Sequence, residues 1–219
     1  MTYAGRLDPM ANGVLLILAG DETKNKEKYL ALSKEYEFKI LFGFATDTYD
    51  ILGKITSKID YFPNNKSALE KEIKKNIKYF RGKFVQNYPV FSSKTVKGKP
   101  LFWYAREGKS VEPQSREVFV KSLALKKIST INGAKLLQDI NKRINKVDGD
   151  FRQEEILKIW QKNLASRRSK KFFIAELKIK CSTGTYVRGI AHSLGEKMGI
   201  PVLAFTIKRT KIGKWSFGE

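Results

Sequence analysis

Gly5-Arg6-Leu7-Asp8-Pro9-Met10-Ala11-Asn12-Gly13 is the stretch around which we expect the rest of this chain to be organised. Its two glycines allow backbone angles that other residues resist, its proline fixes one angle, and its Asn-Gly dipeptide favours a turn. These residues hold one carboxylate, that of Asp8, on a shaped loop. Two interpretations stay open, because a loop Asp is equally a catalytic group or the cap of a turn.

The loop leads directly into the apolar run Val14 to Ala19. An apolar run without alternation predicts a strand that is buried on both faces, and this one is too short to cross a membrane. We therefore expect a core strand to anchor Asp8.

The charge balance of the chain is strongly basic. Lys and Arg number 43 against 22 Asp and Glu among 219 residues, which gives a net charge of +21. Such an excess attracts polyanions and releases counterions when nucleic acid binds. Nucleic acid is therefore the leading partner, and a generally lysine-rich proteome is the alternative explanation. We expect no membrane partner, because the sequence has no basic amphipathic helix with a large apolar face.

Length and cysteine content place the chain among cytoplasmic globular proteins. Residues 1–219 suit a single domain with a substantial core. The lone cysteine, Cys181, excludes an internal disulfide, and no His or Cys cluster predicts a metal site. The early apolar run follows Asp8 rather than a basic segment, so we expect no signal peptide.

Alternation of apolar and polar residues predicts half-buried strands. They are expected at Tyr36 to Phe42, Lys54 to Thr56, Arg116 to Lys127 (with a slip in the alternation), Phe173 to Cys181 and Val202 to Lys208. A basic tail with Trp215 and Phe217 follows.

Helical periodicity occurs between these strands. A short helix is expected within residues 22–33, a second from a capping box at Ser67 to Phe80, and a third up to Met198 with Gly199 as its stop. Strands and helices do not alternate regularly. The predicted class is therefore α+β, with a mainly antiparallel sheet flanked by helices.

Residues 88–108 mix aromatic side chains with cations before a short helix stopped by Gly108. Such mixing suits RNA, because rings stack on splayed bases while Lys and Arg hold phosphates. Packing of the rings in a core is the alternative. Residues 131–170 differ in character: their apolar spacing predicts two helices, and we interpret them as a helical insertion that is basic at its end.

Six stretches, taken together and in order, resemble the TruB-type tRNA pseudouridine synthases. They are Gly-Arg-Leu-Asp-Pro-Met-Ala-Asn-Gly-Val-Leu (5–15), Gly-Asp-Glu-Thr-Lys (20–24), Lys-Glu-Tyr-Glu-Phe (34–38), Gly-Phe-Ala-Thr-Asp-Thr-Tyr-Asp (43–50), Tyr-Pro through Ala-Arg-Glu-Gly (88–108) and Cys-Ser-Thr-Gly-Thr-Tyr-Val-Arg-Gly-Ile-Ala (181–191).

The resemblance implies that a uridine in the T-loop of tRNA, conventionally called U55, is isomerised to pseudouridine. Asp8 matches the family's nucleophile, which attacks a flipped nucleotide at C1′ or C6 without a metal or redox cofactor. Tyr36 matches the family's active-site Tyr, which offers a ring to the uracil and a hydroxyl near its C5 proton. Arg188 is expected to pair bidentately with Asp8 and keep it ionised.

Further substrate-binding positions are implied by the same resemblance. Lys24 and Asp50 match pocket positions, and Ile207 matches an apolar residue that lines the base site. Tyr3 takes the place of a His that enters the T-loop in many members. His192 is expected to be a packed or surface residue. The implied partner is the T-arm of tRNA, bound by a monomer.

The family normally has several tens of residues before its Asp motif, including a Lys-Pro-x-Gly-x-Thr-Ser segment, and many members carry a C-terminal RNA-binding domain. We expect this chain to lack both, and part of the core near Asp8 to be exposed. Two functions stay open: an active synthase, or a catalytically impaired tRNA-binding or tRNA-folding protein of the same family. A generic basic RNA-binding protein is a third.

Overall fold

A computed structural model describes residues 1–59 and 65–216. Phe217 of the expected tail lies outside these residues. The described residues form thirteen strands: β1 (Thr2–Ala4), β2 (Ala11–Gly13), β3 (Leu16–Leu18), β4 (Lys34–Phe42), β5 (Phe44–Thr46), β6 (Ile55–Lys58), β7 (Gly82–Asn87), β8 (Thr95–Val96), β9 (Lys99–Pro100), β10 (Ser115–Asn132), β11 (Lys171–Cys181), β12 (Val202–Ile212) and β13 (Trp215–Ser216).

The described residues also form six α-helices: α1 (Lys26–Ala31), α2 (Lys66–Asn76), α3 (Leu101–Arg106), α4 (Gly133–Ile144), α5 (Gln153–Leu164) and α6 (Val187–Met198). Three 3₁₀ segments accompany them: Gly20–Asn25, Ile77–Phe80 and Ala165–Arg167. None of the helices in residues 1–59 and 65–216 has the length and apolarity needed to span a bilayer.

A central sheet has the strand order β13-β12-β4-β11-β10-β7, and all neighbours on this path are antiparallel. β2 joins it by pairing in parallel with β12. The predicted α+β class with a mainly antiparallel, mixed sheet is therefore confirmed. The slip expected in residues 116–127 is also present, as register shifts at Val120/Ser122 and Leu125/Lys127.

The expectation of a fully buried strand at Val14 to Ala19 is wrong. Only Leu16–Leu18 is a strand, and it pairs with β1 alone in a separate two-stranded sheet. Leu18 is buried, but Ile17 is 65% exposed and Leu15 is 41% exposed. An apolar run shows that side chains avoid water on average, but it does not show how many neighbouring layers cover them.

One helix start differs from expectation, and a second falls inside its expected range. α2 is capped by Asn65, whose side chain accepts a hydrogen bond from the Ser67 amide, so Ser67 lies inside the helix rather than at its cap. In the first helical region, residues 20–25 are 3₁₀ and α1 begins at Lys26. This start places Lys24 outside the α-helix, where its charge does not oppose the helix dipole.

The helices predicted within residues 131–170 are present as α4 and α5. They belong to the main core rather than to a separate layer, because Leu136, Ile140, Ile156 and Trp160 are all fully buried in it. The Trp160 indole also donates a hydrogen bond to the carbonyl of Ile51, 3.1 Å away.

α6 ends as predicted at Gly199, whose φ of 64° lies in the left-handed region that favours glycine. At its other end, α6 begins just after Tyr186 and so carries Arg188 in its first turn. α6 packs against β12 and β4 and points this first turn at the loop that carries Asp8.

Candidate active site

The Asp8 loop runs between β1 and β2 and is closed by main-chain contacts. The Ala11 amide donates a hydrogen bond to the Asp8 carbonyl at 2.8 Å, and β2 then pairs with β12 from Ala11 to Gly13. Gly13 has a φ of 111°, and a Cβ there would collide with the Arg209 carbonyl. Gly13, expected from the sequence to favour a turn, therefore also permits close approach of β2 and β12.

Arg209 joins the two ends of this loop. Its side chain is 2% exposed, its Nε donates to the Val14 carbonyl at 2.7 Å, and its Nη2 donates to the Gly5 carbonyl at 3.0 Å. Buried charges are stable only when their hydrogen bonds are satisfied, and here the backbone satisfies them. The position of Asp8 therefore depends on a side chain about two hundred residues away in sequence.

Asp8 and Arg188 form a partly buried ion pair. The Arg188 Nε lies 2.9 Å from the Asp8 Oδ2, and their side chains are 3% and 30% exposed respectively. The expected pairing is present, but it is not bidentate. The other two nitrogens donate to the carbonyls of Thr48 at 2.7 Å and Phe91 at 2.9 Å, because three elements converge on one guanidinium.

This arrangement leaves Asp8 accessible beside a guanidinium that stays protonated. Burial alone lowers the pKa of Arg188, but the charges of Asp8 and Asp50 and the hydrogen bond to Asp8 raise it above its ordinary value. Arg188 therefore stays protonated, and only part of the Asp8 carboxylate is occupied by it.

Asp50 is a second carboxyl group beside the same guanidinium. It is 5% exposed, and its Oδ1 accepts hydrogen bonds from the Thr48 hydroxyl at 2.7 Å and the Leu52 amide at 2.9 Å. Burial raises the pKa of Asp50 to about 6, although the nearby Arg188 charge opposes the shift.

Tyr36 lies in β4, paired with Ile179 of β11 on one side and Arg209 of β12 on the other. Burial is the main cause that raises the pKa of Tyr36 to about 12; the Asp8 charge adds to the rise and Arg209 opposes it. Its hydroxyl therefore stays protonated at neutral pH and is available as a hydrogen-bond donor.

A cavity of about 530 Å³ opens above the Asp8–Arg188 pair. Its size is within the range of sites that bind small organic molecules. The lining residues come from three parts of the chain: the Asp8 loop (Arg6, Leu7, Asp8, Pro9), the segments around Asp50 and Arg188 (Thr48, Asp50, Leu52, Tyr186, Arg188), and two outer segments (Phe91, Ser92, Ser93, Phe102, Arg106, Lys146, Val147, Asp148, Phe151, Arg152).

Comparison with known families gives this geometry a context. A family described as TruB family pseudouridylate synthase (N terminal domain) matches residues 1–142. The chain belongs to the TruB family.

Named relatives agree with the TruB assignment. tRNA pseudouridine synthase B of Clostridium tetani is 30% identical over 214 residues, covering 98% of this chain and 58% of the relative. The proteins of the same name from Borreliella burgdorferi (strain ZS7) and Aquifex aeolicus are 31% and 29% identical, covering 96% and 99% of this chain and 59% and 60% of those relatives. This chain thus spans less than two thirds of the length of these relatives.

Solved structures share the fold. The chain is similar to one in a Cbf5-Nop10-Gar1 complex, with a TM-score of 0.56 and 16% identity, covering 98% of this chain and 41% of that chain. A second match is to an H/ACA RNP bound to a substrate RNA containing 2'-deoxyuridine, with a TM-score of 0.51 and 15% identity, covering 98% and 39%. At these identities the likeness concerns the fold alone.

The candidate residues of this TruB-family chain lie at different places. Asp8, Asp50 and Arg188 line the cavity together. Tyr36 lies in β4 of the sheet and is not part of the cavity lining, but the Asp8 charge influences its pKa. Ile207 is 6% exposed in the core, where it pairs with Ala11 of β2.

Two further candidates lie on the surface away from the cavity lining. Tyr3 is 40% exposed, and its hydroxyl accepts a hydrogen bond from Arg6 Nη2 at 2.6 Å. The Lys24 side chain is 80% exposed and pairs with Asp21 at 2.8 Å. His192 is packed, as expected: its ring is stacked on Tyr49 with centroids 3.8 Å apart.

Sequence reasoning missed the functional positions of Arg209, Arg152 and Tyr186. Tyr186 lies in the 181–191 stretch that resembles the family, but no role was predicted for it; in the structure it lines the cavity. Arg152 and Arg209 had no local signal, because their partners are distant carbonyls, a ring and a carboxylate. Across residues 1–59 and 65–216 no group of three or more His, Cys, Asp or Glu side chains is placed to hold a metal ion.

Proposed function

We propose that this chain converts a uridine in the T-loop of tRNA, the one called U55, to pseudouridine, with Asp8 as the nucleophile. The observation that carries the proposal is the unequal burial of the ion pair: Arg188 is enclosed, whereas Asp8 is 30% exposed at the floor of a cavity. The names of the relatives support the substrate class.

The reaction needs an ionised carboxylate that reaches the extruded nucleotide at C1′ or C6. Arg188 holds Asp8 through one oxygen at 2.9 Å, which leaves lone pairs of the carboxylate free to attack. Asp8 bonds to C1′ or C6, the C1′–N1 bond breaks and the uracil turns. C5 then bonds to C1′, the bond to Asp8 is broken, and the C5 proton is lost while N1 gains one. Substrate and product are isomers, so no redox partner is required.

Tyr36 and the cavity lining have supporting roles in the proposal. The protonated Tyr36 hydroxyl, whose pKa the Asp8 charge helps to raise, acts near C5, while Phe91 and Tyr186 of the cavity lining offer rings on which an extruded base can stack. Lys24, Tyr3 and Ile207 stay proposed RNA or base contacts, which bound RNA would reach by extending beyond the cavity. We further propose a cytoplasmic monomer that binds the T-arm.

The test is incubation of the protein with unmodified tRNA transcript, followed by chemical mapping of pseudouridine. Wild-type protein is expected to modify the T-loop uridine, and Asp8→Asn is expected to lower the rate by roughly a thousandfold or more, because the nucleophile is lost. Glu70→Gln, a change at a carboxylate on α2 that pairs with Lys74 and lies outside the cavity lining, is the control and should keep the wild-type rate.

The competing function makes a different prediction. Binding of tRNA by the wild-type protein without any product would contradict the synthase and favour the catalytically impaired tRNA-binding protein. Gel filtration with light scattering checks the monomer.

A further inference from the structure

The connection between α4 and α5, residues 145–152, forms the outer wall of the cavity above Asp8. Lys146, Val147, Asp148, Phe151 and Arg152 all line the cavity. The helical segment therefore does more than fill the core, because its connection faces the site where the nucleotide is proposed to bind.

Contacts within the chain hold this wall in place. The Gln153 side chain accepts a hydrogen bond from the Phe151 amide at 2.7 Å and donates to the carbonyls of Val147 at 3.1 Å and Gly149 at 2.6 Å. A loop closed on itself in this way is organised before any ligand arrives.

Arg152 joins the wall to the segment that carries Asp47 and Thr48. Its Nη1 lies 2.8 Å from the Asp47 Oδ2, and its guanidinium is 4.4 Å from the ring centre of Phe91. Asp47 directly precedes Thr48, whose carbonyl receives a hydrogen bond from Arg188. On another side, Arg106 donates to the Asp150 carbonyl. Both arginines are thus engaged by the protein itself.

Lys146 differs from these arginines. It is an exposed cation that lines the cavity, and in the described parts of the chain its ammonium has no hydrogen bond or ion pair. The nearby Asp148 carboxylate accepts from the Gly149 amide of its own loop. A free cation on a rigid wall that also carries the ring of Phe151 matches the chemistry of a phosphodiester next to an unstacked base.

We propose that residues 145–152 are an RNA-binding wall in which Lys146 contacts a phosphate flanking the extruded nucleotide and Phe151 packs against the adjoining sugar or base. This inference shares one assumption with the proposed function, namely that the cavity receives a nucleotide of single-stranded RNA. Single-stranded RNA is the committed occupant, because the wall offers one free cation and a ring beside a cavity of nucleotide size.

The experiment measures the dissociation constant of a fluorescent, unmodified T-arm hairpin for Lys146→Ala at several salt concentrations. Loss of one phosphate contact is expected to weaken binding about fivefold to tenfold near 0.1 M salt and to reduce the slope of log K against log salt by about 0.7 to 0.9. Lys135→Ala is the matched control, since Lys135, on α4, is exposed like Lys146 but does not line the cavity.

Each outcome has a distinct meaning. If both variants weaken hairpin binding equally, or if Lys146→Ala does not weaken it, the proposed RNA-binding wall is contradicted, because general electrostatics would then explain all binding. If the wild-type protein makes no pseudouridine but still binds the hairpin through Lys146, the proposed function is contradicted and the RNA-binding wall is supported. Thermal unfolding of both variants, expected to match wild type, excludes misfolding as the cause.

Discussion

At the level of single residues, Asp50 combines burial with a position beside the Asp8–Arg188 pair. Because burial raises its pKa from 3.8 to about 6, the folded chain binds more protons than the unfolded chain between about pH 4 and pH 7. Stability therefore falls as pH rises through this window, by at most about 3 kcal/mol from this group.

Asp50→Asn tests that dependence. The Asn oxygen retains the acceptor for Thr48 and Leu52, but it does not ionise. The difference in free energy of unfolding between the variant and wild type is expected to rise, in favour of the variant, by up to about 3 kcal/mol from pH 4 to pH 7. Urea unfolding at both pH values measures this difference. A pH-independent difference for Asp50→Asn would contradict the prediction.

How much of the site could be predicted also depends on single residues. Asp8 and Arg188 were paired from sequence because their motifs resemble a family in which the two groups act together. Arg209 could not be found in this way, since its hydrogen bonds go to main-chain carbonyls, and any residue supplies a carbonyl. For the same reason the sequence did not predict the hydrogen bonds of Arg188 to the carbonyls of Thr48 and Phe91.

At the level of elements, the parallel pairing of β2 with β12 depends on Gly13. Gly13→Ala is expected to lower the free energy of unfolding by about 3 kcal/mol, because the new Cβ combines a left-handed backbone with a collision at the Arg209 carbonyl. Urea unfolding measures the loss.

Gly20→Ala is the matched control for Gly13→Ala. Gly20 also has a positive φ, but a Cβ there meets nothing within 4 Å, so only a cost of about 1 kcal/mol is expected. Equal losses for the two variants would show that close approach of the strands is not what Gly13 provides.

The helical segment makes a second prediction at this level. Trp160 is fully buried, packs edge-on against Phe44 and donates to the Ile51 carbonyl. Trp160→Ala is expected to destabilise the protein by about 4 kcal/mol, whereas Trp160→Phe, which keeps a ring but loses the donor, should cost about half as much. A loss below 1 kcal/mol for Trp160→Ala would mean that α5 is dispensable to the core.

Periodicity predicted the elements that have one buried face, such as β4, β11 and α6. It was wrong at Val14 to Ala19, where uniform apolarity concealed a strand that packs on one side only. It also placed the α2 cap at Ser67, because Ser67 and Glu70 have the spacing of a capping box, although Asn65 two residues earlier is the acceptor in the structure. Pattern thus predicts a buried face, but the number of layers and the choice between neighbouring caps depend on tertiary contacts.

At the level of the whole molecule, the net charge of +21 predicts strongly salt-dependent RNA binding. With about five phosphate contacts, raising salt from 50 to 200 mM should weaken tRNA binding by roughly a hundredfold. Fluorescence anisotropy at several salt concentrations measures the slope of log K against log salt. Binding of the uncharged nucleoside uridine should not depend on salt in this way. A slope near zero would contradict an interface based on phosphates.

The guanidinium of Arg209 also bears on how the Asp8 loop tolerates changes in length. Because the carbonyls of Gly5 and Val14 are both bound to it, the intervening residues form a ring in the sense of polymer statistics. The closure entropy of such a ring changes only logarithmically with its length, so adding one or two residues inside it costs roughly 0.2 kcal/mol. The ring is therefore less sensitive to its length than to the single side chain that closes it.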